Sequence, residues 1–173
     1  MTRSELTVTS ECADLLETLA KHRYFLRYTV GDLTDEQASK RTTVSELCLG
    51  GLIKHVASTE RQWIDFILDG PSAMAPHDAG SLAGWAGGFD MVEGETLAEL
   101  LEEYEQVADR TDQLVATLTD LDATQPLPEA PWFEFGARWT ARRVLLHVIA
   151  ETAQHAGHAD ILRESLDGAK SMA

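Results

Sequence analysis

Apolar positions recur with a helical period in four long segments of the chain, and turn-forming residues fill the stretches between them. In the first segment, about residues 9–30, Val8, Cys12, Leu15, Leu19, His22 and Leu26 fall at alternating steps of three and four, which predicts an amphipathic helix. Gly31-Asp32 stops it and the linker DLTDEQASKRTT follows. The second helix is predicted over about residues 44–69. Cys48, Leu52, His55, Thr59, Gln62 and Phe66 form its inward seam, Thr43 or Ser45 its N-cap with Glu46 supporting the capping turn, and Gly70-Pro71 its end. From 72 to 94 the chain is rich in Gly, Ala and Pro and has no usable period. It reads as a long loop carrying Trp85 and Phe89, expected to cover the mouth of a site, with Trp63 and Trp139 as further candidates to line it. The third helix, about 95–119, puts Leu97, Leu100, Leu101, Tyr104, Ala108, Thr111, Leu114, Val115 and Leu118 on one side and an acidic, solvated face of Glu99, Glu102, Glu103, Glu105 and Asp109 on the other. PLPEAPWFEFGARW crosses to the last helix, with WFEF predicted as a short extended piece. Thr140 caps the last helix, which runs to about residue 166 before Gly168. Four such helices predict an all-α fold, a four-helix bundle, formed by residues 1–173 as a single domain.

The last helix departs from this pattern in one respect. In LLHVIAETAQHAGHADIL the seam reads Val148, Glu151, His155, His158, Leu162, so polar groups occupy places that leucine or isoleucine would normally fill. A buried carboxylate costs several kcal/mol unless something compensates it, and a bound cation would do so. Glu151 and His155 lie four residues apart, on one helix face with Cβ atoms about 5 to 6 Å from each other. His55, mid-seam on the second helix, is the candidate third ligand, and Gly51 one turn earlier would admit a close approach. Two imidazoles and one carboxylate form a His2Glu set, which commonly leaves a position open on zinc. The bland alternatives are satisfied core histidines, or a Glu–His salt bridge that leaves His55 unexplained. His22 is readable as such a core histidine. His147 and His158 are better placed as groups around the ligands than as ligands. No Glu-x-x-His pair of the di-iron type and no HExxH is present.

Charge narrows the partners. With 29 acidic against 14 basic residues the net charge is −15, so a nucleic acid or an anionic bilayer would be repelled. No apolar run approaches the roughly 20 residues needed to span a membrane, and MTRSELTVTSEC has no apolar signal core, so a cytoplasmic protein is expected. Cys12 and Cys48 are too few for a disulfide framework and read as small core hydrophobes.

GGLIKHVASTERQW in the second helix and WTARRVLLHVIAETAQHAGHADILRESLDG at the end, together with KHRYFLRYTVGDLTDEQASKR and GETLAELLEEYEQV, resemble the DinB-like superfamily of metal-binding four-helix bundles. The nearest resemblance is to its mini-circle protein group, and the same ligand logic is similar to that of the N-terminal domain of mycothiol-dependent maleylpyruvate isomerase. Many members carry three His ligands. Here His55 stands at the first place, Glu151 at the second, as in the isomerase, and His155 at the third. The resemblance implies a divalent metal, most often zinc or nickel, with iron as another option, and a low-molecular-weight thiol co-substrate such as mycothiol. It also implies that an exposed helical surface could form a homodimer. The isomerase has a second, C-terminal domain and this chain ends at Ala173 without one, so isomerisation of maleylpyruvate itself is not expected.

Two functions follow as expectations. One is a metal-dependent, thiol-using transferase or isomerase acting on an electrophilic small molecule. The other is a non-catalytic metal- or ligand-binding protein, in which a further protein ligand, His158 being the obvious one, closes the metal shell.

Overall fold

The computed structural model describes residues 9–74 and 88–171, and residues 75–87, with Trp85 among them, lie outside the described residues. The elements in chain order are α1 (Ser10–Tyr28), α2 (Asp35–Ala38), α3 (Leu49–Asp69), a 3-10 turn (Gly70–Met74), α4 (Leu97–Thr117), β1 (Thr124–Pro126), β2 (Arg138–Thr140) and α5 (Ala141–Asp167). The fold is all-α, a four-helix bundle.

Local chemistry sets most helix ends. Thr9 accepts from the Cys12 amide, Thr96 and Glu99 form a capping box at the start of α4, and Thr140 accepts from the Arg143 amide at 3.0 Å. Gly168 closes α5 in the left-handed region with φ 81°. The linker after α1 contains the one-turn helix α2, capped reciprocally by Thr34 and Gln37.

Two expectations are corrected. The second long helix begins at Leu49, not near residue 44, and its N-cap is Cys48, whose sulfur accepts from the Gly51 amide at 3.4 Å. Ahead of it the hydroxyls turn to their own backbone: Thr43 Oγ1 accepts from the Ser45 amide and Ser45 Oγ from the Leu47 amide, each at 3.2 Å. These short local bonds compete with a helical turn and hold the segment as bends. WFEF is not extended either. Phe133 and Ala137 close turns within it, Gly136 takes φ 75°, and the strands form outside it, pairing Thr124 with Thr140 and Pro126 with Arg138 in an antiparallel ladder.

Ion pairs and hydrogen bonds fix the helix directions. Arg142 at the start of α5 bonds Glu11 at the start of α1, and Arg163 near its end donates to the carbonyls of Thr29 and Gly31, both at 2.9 Å, so α1 and α5 are parallel. Lys54 pairs with Glu95 just ahead of α4, Arg61 with Glu103 and Asp65 with Arg110, so α3 and α4 also run together. Arg23 bonds Asp112 and Arg27 bonds Glu105, which makes α1 and α4 antiparallel. The topology is therefore up-down-down-up, with α5 packed between α1 and α3.

The core is mostly apolar, and its buried charged pair lies in one layer. Leu26, Leu49, Leu52, Ile53, Val56, Leu100, Tyr104, Ala159 and Leu162 fill one end, and Leu19, Trp63, Phe66, Val144 and Val148 another part. Among them Arg23 is 4% exposed and Glu60 1%. Arg23 Nε donates to Glu60 Oε2 at 3.2 Å, a second guanidinium nitrogen bonds Oε1, a third reaches Asp112 at 2.8 Å, and Thr111 donates to Glu60 Oε1 at 2.6 Å. Cys12 and Cys48 are both buried free thiols. No helix of the described residues is long and apolar enough to cross a membrane.

Candidate metal centre

Facing helices bring together three groups far apart in sequence. His55 on α3 and Glu151 and His155 on α5 offer one ligand atom each, and these atoms all lie within 4.8 Å of one another. The His155 Nε2 is 3.6 Å from Glu151 Oε2, and the rings of His55 and His155 meet edge to face with centroids 4.8 Å apart. Helical spacing stacks Glu151 under His155, and the antiparallel α3–α5 contact supplies His55. His22, on α1, is not in the group.

The surroundings limit how these side chains can move. His158 Nδ1 is 3.4 Å from His155 Nδ1, so one ring nitrogen of His155 is engaged and the other faces Glu151. His147 Nε2 is 3.9 Å from Glu151 Oε1, and its ring packs edge-on against Trp63 and Trp139, which stack on each other at 4.7 Å. Thr59 Oγ1 lies 3.5 Å from His55 Nε2.

Phe89, from the described end of the long loop, stacks on His55 with centroids 3.9 Å apart and rings 25° from parallel. Its backbone rests on α3 because Gly51 has no side chain: a Cβ there would fall 1.7 Å from the Phe89 carbonyl oxygen. Gly51→Ala is therefore expected to push the segment around Phe89 off α3 and to destabilise the bundle by about 1 to 3 kcal/mol, read from chemical denaturation. An unchanged midpoint would contradict this packing.

The donor set suits a divalent cation. Imidazole and carboxylate together are ligands for zinc, iron or nickel, and Glu151, with its side chain about 30% exposed, brings a carboxylate to the two imidazoles. The mycothiol-S-transferase family matches the chain over residues 14–168. The chain belongs to this family. It is a DinB-like protein, in accord with the bundle, and the match spans His55, Glu151 and His155. Comparison with curated proteins gives no match.

In this mycothiol-S-transferase family member burial favours the neutral form of His55, His147 and His155. Burial, reinforced by the nearby His155, pushes His55 down from 6.5 to about 4. Burial also lowers His155 and His147, with Glu151 partly opposing the shift in each. Neutral imidazoles keep a lone pair free for a cation at ordinary pH. For stability the sign is set by the unfolded chain, which takes up a proton on His55 near pH 6.5 while the folded, metal-free protein resists until about pH 4. Stability is then full above pH 6.5 and falls as pH drops from 6.5 towards 4, by roughly 2 kcal/mol for this group. Urea midpoints of metal-free protein between pH 7.5 and 4.5, compared with those of His55→Gln, measure that share; identical pH slopes in the two would refute it.

Sequence reasoning placed Phe89 only on the loop expected to cover a site and Thr59 only on the α3 seam, without their contacts to His55, and assigned the Arg23–Glu60 layer no role. Glu60 could have been noticed, because it lies four residues after Val56 and three before Trp63, on the same inward face.

Proposed function

We propose that His55, Glu151 and His155 hold a divalent cation, zinc first among the candidates, and that the protein joins a low-molecular-weight thiol, mycothiol in the first place, through its sulfur to an electrophilic small molecule. The observation that carries this reading is the convergence of the three ligand atoms within 4.8 Å in a chain of the mycothiol-S-transferase family. When bound, the cation supplies a Lewis-acidic position that favours the thiolate form of a thiol near neutral pH. His55 and His155 offer neutral nitrogens and Glu151 the charge. His158 orients His155 through its far nitrogen, and Phe89 shields one face of His55 from water. His147, kept neutral by burial, takes up the thiol proton at Nε2 beside Glu151. As the carbon–sulfur bond forms, the electrophile either expels its leaving group with the bonding electrons or accepts that proton at the neighbouring carbon.

The reading treats the whole chain as one domain acting in the cytoplasm. A closed storage site would need His158 to turn its ring towards the cation, whereas its contact is with the far nitrogen of His155, which favours an open position. The test is elemental analysis of purified protein followed by conjugation assays with mycothiol, bacillithiol and glutathione against a panel of electrophiles. Stoichiometric metal and metal-dependent conjugation are expected. Full metal occupancy with no conjugation by any thiol would favour the binding protein.

A further inference from the structure

In a chain of net charge −15, one arginine is left without an acid. Every other arginine among the described residues pairs with a carboxylate or, for Arg138, bonds the hydroxyl and carbonyl of Thr124. The guanidinium of Arg143 makes no hydrogen bond or ion pair among the described residues, and the side chain stands at the surface. Its place in the fold sharpens the point. Arg143 lies in the first turn of α5, where unpaired amides already carry positive partial charge and an acidic side chain is favoured, yet that turn holds no acid. Arg142 beside it is compensated by Glu11 and Asp122. No described carboxylate does the same for Arg143.

The way the side chain is held is a second observation. Its guanidinium lies over the Trp139 ring, 5.0 Å from the centroid. Stacking uses the flat face of the group and leaves the N–H donors at its edge free. A planar fork of donors fixed in this way matches the two oxygens of a carboxylate.

Trp139 also connects this group to the metal centre. Its ring packs edge-on against His147, whose Nε2 is 3.9 Å from Glu151 Oε1. Arg143, His147 and Glu151 follow one another at intervals of four along α5, which places them on one side of the helix with Arg143 and Glu151 about 12 Å apart. Burial lowers the pKa of His147, Glu151 opposes the shift and Arg143 adds to it, so the charge of the guanidinium is felt at that ring. The strip from Arg143 to Glu151 is therefore positive at its outer end, aromatic along its length and half-buried at the cluster.

We propose that Arg143 holds the acid group of the electrophile, and that the co-substrates this protein prefers are flat, aromatic or conjugated carboxylates whose reactive carbon lies about 10 Å from the acid. This rests on the reading of the cluster as a metal centre that binds a thiol, and adds where the second substrate lies. The acid meets the free edge of Arg143, the flat body lies along Trp139 and His147, and the far end reaches Glu151 and the two ligand histidines. Over most of this acidic surface a small anion is repelled, and at Arg143 it is attracted. An acid group carried by the thiol would suit the same fork, so the two sources are tested apart.

Titration of the metal-free full chain with naphthoate and with its neutral analogue naphthamide, followed through the indole and guanidinium N–H resonances, needs neither thiol nor turnover. Naphthoate is expected to bind at least about tenfold more tightly than the amide and to shift the Trp139 indole and Arg143 Nε signals. Arg143→Gln should bring the acid down to the affinity of the amide, and Arg143→Lys should recover only part of the difference, because an ammonium lacks the fork. His55→Ala should leave the affinity for naphthoate within about twofold of wild type, so that loss of the metal centre and loss of the acid site are separate results. Equal binding of acid and amide by the wild type, or an affinity for naphthoate unchanged in Arg143→Gln, overturns the proposal. So does a loss of glutathione binding in Arg143→Gln with naphthoate unaffected, which would assign the acid to the thiol.

Discussion

Replacing His55 with alanine is expected to lower divalent-metal affinity by more than about 100-fold, measured as metal per protein by elemental analysis and as a dissociation constant by calorimetry. His55 is the member of the cluster that α3 contributes, and without it α5 is left with a carboxylate and an imidazole one turn apart, a pair open to water on one side. The substitution also removes the surface on which Phe89 stacks, so the loop end loses its seat as well as the site its ligand. Chelator-stripped protein should remain folded, since the helices are held by caps and core. Full, tight occupancy in His55→Ala would show that His55 is a core histidine and that the site is built otherwise. Glu151→Gln separates charge from shape in the same assay. The amide keeps the volume and loses the negative charge, so binding should weaken without loss of helicity, and an unchanged affinity would remove Glu151 from the ligand set.

Much of this side-chain cluster was legible in the sequence. Glu151 and His155 betray themselves because a helical seam that should be apolar carries a carboxylate and an imidazole at the spacing that stacks them, and His55 falls mid-seam on another helix. Helix ends were legible where the cap is local, as with the Thr140 hydroxyl and the left-handed Gly168 backbone at the two ends of α5. The start of α3 was not, because Thr43 and Ser45 look like helix caps yet spend their hydroxyls on turns while a cysteine takes the cap. The strand pair joins Thr124 to Thr140 across a segment whose aromatic residues suggested the wrong strand. Arg23 escaped notice for a geometric reason. The stepping of apolar residues puts His22 on the α1 seam, whereas the helix is rotated so that its neighbour enters the core, where only α3 and α4, distant in sequence, reveal the partners.

That buried layer is where a single substitution is expected to cost the most among those argued for this chain. Arg23→Leu leaves the Glu60 carboxylate 1% exposed, with the Thr111 hydroxyl as its remaining donor, and should cost about 3 to 5 kcal/mol. With a total stability of about 5 to 15 kcal/mol for a protein of ordinary stability, the variant could be partly unfolded at room temperature. Glu60→Leu should cost less, because Arg23 keeps Asp112, whose side chain is about half exposed and can share its solvation. The double variant Arg23→Leu/Glu60→Leu should recover most of the loss, since the penalty comes from stranding one charge and not from the absence of an ion pair. Arg23→Lys should not rescue, as one ammonium cannot meet both Glu60 oxygens and Asp112 as the planar guanidinium does. Urea unfolding curves with equal slopes across the set supply the comparison. If Arg23→Leu lowers stability by less than about 1 kcal/mol, or the double variant is as unstable as Arg23→Leu alone, the layer is not held by charge compensation and its contribution is packing.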